Sequence, residues 1–539
     1  MKRLFLKYLV IAVLVVFTSC KKDNDKKTPA EVQKEVILTE LAKNINLSEF
    51  AAEFEKIDFA NVKTEELTVF ALRNGGSGVA ATRAADNSDF DIKRHVVAGK
   101  YSKSSLKDDQ ILTALDGSDL TITKTDDDKI YINGVEFDSE TTAGNSIVYI
   151  VEKTIPATAP AKKMTMTTAK AGKVTILMNG LRNATATVDW GDASPFTTRK
   201  FGVDSSMYTF THSYSNETSR TITITGNQIQ VLVCDDNELK SLDVSKNSML
   251  TELLCNSNQI KSLDVSNNTK LTDLSCFDNL LTSLDVSKCT ALARLYCGEN
   301  EITSLDVSKN SELTVLDCRD NVLKSLDVSK NIVLEILGCG NNQLTSLDVS
   351  KNGALTILWC YYNGLTSLDV SKNIALTILW CSGNPLTSLD VSKNTKLTEL
   401  FCSVNELESL EVSNCTALTR LECSVNKLTS LDVSKNTKLT ELVCGGNELE
   451  SLEVSNCTAL TRLECGANKL TSLDVSKNTK LTELECSVNL LTDIALNALF
   501  GTLHSNAGEK TINILGNPGA EDCNRSIAEA KGWTVFYTW

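Results

Sequence analysis

The stretch LTELFCSVNELESLEVSNCTA, residues 397–417, decides the fold of about half of the chain. It recurs with small changes from residue 227 to residue 491, and its first cysteine returns every 21 residues. The cysteines of this series are Cys234, Cys255, Cys276, Cys297, Cys318, Cys339, Cys360, Cys381, Cys402, Cys423, Cys444, Cys465 and Cys486. A repeat of fixed length in this range predicts a solenoid, because one coil cannot bury its own apolar face and must stack on its neighbours.

Each repeat has two similar halves, LxxLxCxxNx and LxxLDVSxNxx. We expect the leucines and the cysteine to alternate inward on a short strand, while the residues between them point outward. The asparagine after each apolar run is predicted to lie at a corner and to bond the backbone of the next coil. This two-part unit resembles the irregular 21-residue leucine-rich repeats of bacterial surface proteins, called the IRREKO class. That resemblance implies the fold of residues 227–491 and leaves the ligand open.

The cysteines are predicted to be structural. Three more of them, Cys289, Cys415 and Cys457, take the corner position that Asn247 and Asn268 hold in other coils. A residue that exchanges with asparagine or leucine at a stacked position fills space, so we expect buried, reduced thiols. Disulfides and a zinc site are the alternatives; stacked side chains fit disulfide torsions poorly, and CxxC motifs and Cys/His clusters are missing from the sequence.

The start of the chain is typical of a targeting segment. A basic beginning precedes an apolar run at residues 9–17 that is too short to span a bilayer. Small residues then lead into Cys20, which resembles a bacterial lipobox. We therefore expect a signal peptide at 1–19, a lipidated Cys20, a linker through residue 30, and an exported protein anchored by lipid in the outer membrane or at the cell surface. The alternative is an ordinary secretory signal with an incidental cysteine.

Residues 31–156 resemble a fasciclin domain. The matching segments, in order, are LTVFA at 67–71, HVVAGKY at 95–101, LDGSDL at 115–120, INGV at 132–135 and NSIVYIV at 145–151. The proline that usually follows the first segment is missing, and a loop of small residues is inserted after it. The resemblance implies an α+β domain of a family that serves in cell adhesion, with His95 as a packed structural residue.

Residues 157–226 resemble a small PKD-type β-sandwich. The resemblance rests on the WGD turn at 190–192 and on the HSY sequence at 212–214. Asp189, Asp192 and His212 could form a metal or ligand site. The favoured interpretation is structural, with the aspartates capping a turn and the histidine packed beside Trp190.

Residues 492–539 are predicted to form a terminal cap with two helices and two strands, because the last coil needs a cover. The predicted fold class is thus mainly β with some α. It combines a leucine-rich-repeat solenoid with a C-terminal α/β cap, an N-terminal α+β fasciclin-like domain and a small PKD-like β-sandwich module.

Composition argues against several functions. A formal charge of −14 disfavours nucleic acid, and three histidines leave few routes to histidine chemistry. Catalytic motifs such as GxSxG, HExxH and the P-loop are missing, so we expect a non-enzyme without cofactor or metal.

One acid per coil forms a ladder that calcium could bridge; a lysine three residues after most of these acids favours a self-neutralised face instead. The ladder comprises Asp243, Asp264, Asp285, Asp306, Asp327, Asp348, Asp369, Asp390, Glu411, Asp432, Glu453 and Asp474.

The outward positions that vary between coils indicate where a ligand binds. Aromatic side chains in consecutive coils must lie side by side, and exposed apolar patches usually mark interaction sites. The predicted ligand-binding residues are Tyr296, Ile336, Ile357, Trp359, Tyr361, Ile378, Trp380 and Phe401. We expect recognition of a protein or carbohydrate ligand, with the membrane reached only through the lipid. The alternatives are an aromatic ladder that merely stiffens the sheet and a structural or self-assembling envelope protein.

Overall fold

The computed structural model describes residues 27–77, 91–108, 110–124, 129–155, 162–182, 184–202 and 206–537. The predicted signal peptide and Cys20 lie outside the described residues. The chain divides into two compact units, residues 1–161 and 162–539.

The first unit is an α+β domain. Helix α1 begins after Thr28, whose side chain forms a capping box with Glu31, and Pro29 occupies the first turn. The unit contains α1 (Pro29–Ala42), a 3₁₀ turn (Ile45–Leu47), α2 (Ser48–Phe54), β1 (Leu67–Ser77), a 3₁₀ turn (Ile92–His95), β2 (Val96–Ala98), β3 (Ile111–Thr113), β4 (Asp119–Lys124), β5 (Ile130–Ile132), β6 (Val135–Ala143) and β7 (Ser146–Lys153). The strands form one sheet in the order β2-β1-β7-β6-β5-β4-β3, in which β1 and β7 are parallel.

The second unit begins with two sheets of antiparallel strands. Its strands are β8 (Lys163–Thr168), β9 (Gly172–Gly180), β10 (Thr185–Asp189), β11 (Thr197–Lys200), β12 (Tyr208–Tyr214), β13 (Arg220–Gly226), β14 (Ile229–Val233) and β15 (Leu239–Asp243). One sheet has the order β11-β10-β13-β8-β15. In the other, β9 lies between β12 and β14. Because β14 also pairs with the first strand of the repeats, the second sheet continues into the solenoid and shares its core.

The solenoid adds one three-residue strand per coil, and all of these strands are parallel. They are β16 (Glu252–Leu254), β17 (Asp273–Ser275), β18 (Arg294–Tyr296), β19 (Val315–Asp317), β20 (Ile336–Gly338), β21 (Ile357–Trp359), β22 (Ile378–Trp380), β23 (Glu399–Phe401), β24 (Arg420–Glu422), β25 (Glu441–Val443), β26 (Arg462–Glu464) and β27 (Glu483–Glu485). The middle leucine of each strand and the cysteine that follows are buried, as the alternation predicts.

The seventeen described cysteines are free and buried, which confirms the prediction of reduced structural thiols. The corner asparagines also bond the backbone, but in the other direction from the one predicted. Asn279 Nδ2, for example, donates to the carbonyl of Cys255 in the preceding coil, 2.9 Å away, and to that of Cys276 in its own coil. The amide therefore ties each coil backward.

The predicted cap is present. Helix α3 (Asp493–Thr502) begins after Thr492, whose hydroxyl accepts from the N–H of Ala495. Strands β28 (Thr511–Asn513) and β29 (Thr534–Phe536) extend the solenoid sheet, and helix α4 (Ser526–Glu529) lies between them in sequence. Leu496, Leu499 and Phe500 of α3 are buried in the same core as the repeats.

Candidate functional site

Four consecutive strands, β20 to β23, bring most of the predicted ligand-binding residues together. Their register places Gly338 opposite Trp359, Trp359 opposite Trp380, and Trp380 opposite Phe401. The side chains at these positions point away from the core, because on each strand the preceding leucine points inward. We call the half-buried set on these strands and the following corner the aromatic surface; it consists of Ile336, Ile357, Trp359, Tyr361, Ile378, Trp380 and Phe401.

The aromatic rings form a stack along the solenoid. The ring centroids of Trp359 and Trp380 lie 5.6 Å apart with planes inclined by 36°. Those of Trp380 and Phe401 lie 5.1 Å apart with planes only 6° from parallel. Both distances follow from the strand spacing of about 4.8 Å. The indole Nε1 atoms of Trp359 and Trp380 are buried and make no hydrogen bond within the part of the chain that the structure describes.

An arginine covers each end of the stack. The guanidinium carbon of Arg319 lies 4.9 Å from the centroid of the Trp359 ring, and that of Arg420 lies 4.9 Å from the Phe401 ring. Such cation–π contacts contribute about 0.5–2 kcal/mol each. Arg319 also donates from Nη2 to Asp317 at 2.8 Å and from Nη1 to the Tyr361 hydroxyl at 3.4 Å. The hydrogen bonds with Asp317 raise the pKa of Arg319, which therefore stays charged.

Two glycines allow this arrangement. Arg319 and Trp359 belong to coils that are not adjacent, since Gly338 and Gly340 occupy the coil between them. A Cβ atom on Gly338 would lie 2.9 Å from Asp317 Oδ1 and 3.2 Å from Arg319 Cδ, and one on Gly340 would lie 2.7 Å from the Tyr361 ring. A larger residue at either position would displace Arg319 or Tyr361.

The sequence interpretation missed part of the apolar surface. Ile332 and Val333, 61% and 41% exposed, occupy the turn that leads into β20, and Ile374, 60% exposed, occupies the equivalent turn before β22. Tyr362, 59% exposed, lies after the strand and packs edge-on against Tyr361, 5.9 Å between centroids. Ile332 and Ile374 could have been found from the same coil comparison, because most other coils carry serine or threonine at that position.

Tyr296 is separated from the aromatic surface. It lies on β18, and the coils of Asp317 and Gly338 stand between it and Trp359. It lines a different recess, together with Glu252, Leu254, Asp273, Leu274, Ser275 and Arg294. Arg294 forms an ion pair with Asp273 in that recess.

On the other side of the stack, the outward rows become charged. Arg420 Nε lies 2.8 Å from Glu441 Oε2, and Arg462 Nη1 lies 2.7 Å from Glu441 Oε1, so Glu441 bridges two coils. Arg420 also pairs with Glu422 at 3.3 Å, and Arg462 pairs with Glu464. Burial raises the pKa of Glu422. Charged pairs at such exposures stabilise the fold little, about 0–1 kcal/mol each.

The ladder of acids, one per coil, serves the turns of the backbone. Asp348 Oδ1, for example, accepts from the backbone N–H of Ser350 at 2.8 Å, and Asp369 does the same with Ser371. These serine contacts lower the pKa of Asp348, and the Lys351 charge lowers it further. Across the described ranges there is no cluster of three or more histidine, cysteine or acidic side chains that could hold a metal.

The two histidines weighed in the sequence are structural, as favoured. His212 stacks on Trp190 at 5.3 Å, and its Nε2 lies 2.7 Å from Asp192 Oδ2, while Asp189 Oδ1 accepts from the turn N–H of Gly191. His95 is buried: its Nδ1 lies 2.8 Å from the Phe70 carbonyl oxygen, and its Nε2 accepts from the Ile155 N–H. Burial lowers the pKa of His95 to about 4, so it is neutral at physiological pH.

Fold and sequence together define the class of protein: an N-terminal fasciclin domain and a mainly β solenoid that resembles leucine-rich-repeat proteins. Residues 46–156 match the family described as the fasciclin domain. Comparison with curated proteins gave no match. None of the helices in the described ranges is both long and apolar enough to cross a membrane.

Several solved structures are similar to about half of the chain. The functional domain of InlJ from Listeria monocytogenes, described as including a cysteine ladder, is 36% identical over 53% of this chain and 74% of that chain, with a TM-score of 0.44. A leucine-rich-repeat protein of Leptospira interrogans is 21% identical over 56% of this chain and 93% of its own, with a TM-score of 0.45. The internalin InlF of Listeria monocytogenes is 23% identical over 48% of this chain and 87% of its own, with a TM-score of 0.40.

Proposed function

We propose that this chain recognises a macromolecular ligand, a protein or a carbohydrate, through the aromatic surface, and that it works by binding rather than by catalysis. The observation that carries the proposal is the run of half-buried apolar side chains across β20 to β23, continued by the exposed Ile332, Ile374 and Tyr362. A soluble surface seldom keeps so many adjacent apolar groups without a partner. Aromatic side chains form this surface and arginines cover its ends, and both residue types contribute most to binding energies at protein interfaces.

The double variant Trp359→Ala/Trp380→Ala tests this proposal. Binding of the purified full-length chain to arrays of extracellular proteins and glycans is expected to fall about thirtyfold or more, as for central interface residues. The cooperative melting transition, followed by circular dichroism, is expected to shift by about 5 °C or less, because the leucine and cysteine core is unchanged. Binding would then depend on the stack more than folding does.

Tyr296→Ala is the matched control. It removes an aromatic side chain from the same outward position of the repeat, three coils away, and should leave array binding by the stack unchanged. A large loss of stability without a loss of binding in the double variant would assign the stack to stiffening the sheet. Association of the parent chain in sedimentation that disappears in the double variant would assign it to self-assembly.

We further propose that the chain is exported and held in the outer membrane or at the cell surface by lipid on Cys20. The support is the basic and apolar start of the sequence with small residues before this cysteine. In cells fed an alkyne-labelled fatty acid, the parent chain is expected to carry the label and to sediment with membranes. Cys20→Ser should abolish the label and release the chain. Equal labelling of the variant would contradict the anchor.

A further inference from the structure

The stack offers a ligand its ring edges and not its faces. Trp380 lies between Trp359 and Phe401, and the outer faces of these two rings are covered by Arg319 and Arg420. Stacking on a sugar ring requires a free aromatic face, whereas ring edges carry the positive end of the quadrupole and suit carbonyl oxygens and aliphatic groups. The arrangement of the rings therefore favours a polypeptide over a carbohydrate.

The polar groups around the stack also favour a polypeptide ligand over a carbohydrate. Ile336, Ile357 and Ile378 form the neighbouring row, which has no side-chain hydrogen-bonding atoms. The hydroxyl of Tyr361 accepts from Arg319, and that of Ser403 accepts from the Ser424 N–H. Because the buried indole N–H groups do not reach the surface either, the aromatic surface itself offers few donors and acceptors to orient sugar hydroxyls.

The side chains next to the stack carry an excess of negative charge. On the two outward rows of β23 to β27, six glutamates accompany two arginines. The glutamates are Glu399, Glu422, Glu441, Glu464, Glu483 and Glu485. Arg420 and Arg462 pair with Glu441 and also with Glu422 and Glu464, but six carboxylates against two guanidinium groups leave the region with net negative charge directly beside an apolar surface. Complementary charge on a partner steers association and fixes its register.

We propose that the ligand is a protein segment that lies along the solenoid, with apolar side chains on the aromatic surface and lysine or arginine side chains over Glu422, Glu464 and their neighbours. This inference rests on the proposed function and gives it a ligand class and an orientation. The apolar part is held by burial against ring edges and isoleucine side chains. The basic part is held by carboxylates that are about 30% exposed or more open, such as Glu422 at 29% and Glu483 at 50%.

The probe is a fluorescein-labelled peptide with a leucine-rich half and a lysine-rich half, titrated with the full-length chain and followed by fluorescence anisotropy. Trp359→Ala/Trp380→Ala is expected to weaken binding about tenfold or more. Glu422→Gln/Glu464→Gln is expected to weaken it about threefold to tenfold and to flatten its salt dependence. The charge reversal Glu422→Lys/Glu464→Lys should transfer the preference to a peptide with glutamate in place of lysine.

Glu408→Gln/Glu450→Gln is the matched control, because it removes the same charge outside the strands, from the coils directly before those of Glu422 and Glu464. Equal weakening by this pair would overturn the inference, since the attraction would then be the charge of the whole chain. Trp-dependent binding confined to chito- or malto-oligosaccharides on the arrays would also overturn it while retaining the proposed function. If the Trp substitutions change neither array binding nor peptide binding, the proposed function is overturned as well.

Discussion

Every coil of the solenoid turns at two asparagine positions, and these two positions use the same side chain differently. The strand-side ladder follows the cysteine of each strand and includes Asn279 and Asn384. There the amide nitrogen donates to carbonyls of two coils, and Oδ1 accepts a backbone N–H; for Asn384 this is the N–H of Leu365, 3.1 Å away. Both ends of the amide are needed in this ladder.

The far-side ladder, on the other half of the coil, needs only a donor. Asn373 Nδ2 donates to Val349 and Asn352 carbonyls at 3.0 and 2.8 Å, while its Oδ1 is buried without a partner among the described residues. Cysteine replaces asparagine only in this ladder, and Cys415 Sγ donates to the equivalent carbonyls at 3.5 and 3.7 Å. A weak donor without an oxygen suffices here, and it removes a buried acceptor that has no partner.

The largest expected effect comes from ionisation of the buried thiols. The cysteines of the core and of the far-side ladder fit their sites only as neutral thiols. Burial raises the pKa of Cys276 to about 12 and that of Cys289 to about 11, against an ordinary value near 9. Stability is thus fully present below the unfolded pKa of about 8.5 and is lost as the pH rises toward these folded values. We expect the urea midpoint to fall steeply between pH 8 and pH 10.

Thiolate absorbance at 240 nm provides the control for this pH series. The folded chain should show almost none of it at pH 9.5, and unfolding in urea should reveal it. A strong thiolate signal from the folded chain at that pH would contradict the neutral-donor interpretation of Cys289, Cys415 and Cys457.

Most of the fold could be predicted because the repeat is periodic. The 21-residue interval fixes the coil length, and alternation places leucine and cysteine inward, so the strands, the buried thiols and the cap all follow from residues in sequence. The direction of the corner asparagines was predicted wrongly. A side chain at a corner can reach the coil before or after it, and only the backbone geometry decides between them.

The site was predicted in part for a related reason. Register alone places Trp359, Trp380 and Phe401 side by side. It says nothing about side chains that reach beyond their own row, such as Arg319, which crosses the coil of Gly338 and Gly340 to cover Trp359. Tyr296 belongs to the same row but lies three coils from Trp359, so membership of the row alone does not bring the two residues together.

A smaller effect comes from a matched pair of substitutions that tests the two ladders directly. Asn384→Cys in the strand-side ladder leaves the Leu365 N–H without an acceptor and weakens the bonds to the Cys360 and Cys381 carbonyls. Leaving buried groups unpaired costs about 1–3 kcal/mol, so the free energy of unfolding in urea should fall by about 2–3 kcal/mol. Asn373→Cys in the far-side ladder should change it by about 0.5 kcal/mol or less, because a thiol already serves at Cys415.

Both variants are measured in reducing buffer, so that a new disulfide with a neighbouring thiol does not contribute. Equal losses for the two would show that cysteine is tolerated at Cys289, Cys415 and Cys457 for reasons of local packing. A loss confined to Asn384→Cys would tie the choice between asparagine and cysteine to the acceptor alone. Asn373→Ala then separates donor from volume: without the S–H group, the carbonyls of Val349 and Asn352 lose their shared donor, and stability should fall by about 1 kcal/mol relative to Asn373→Cys.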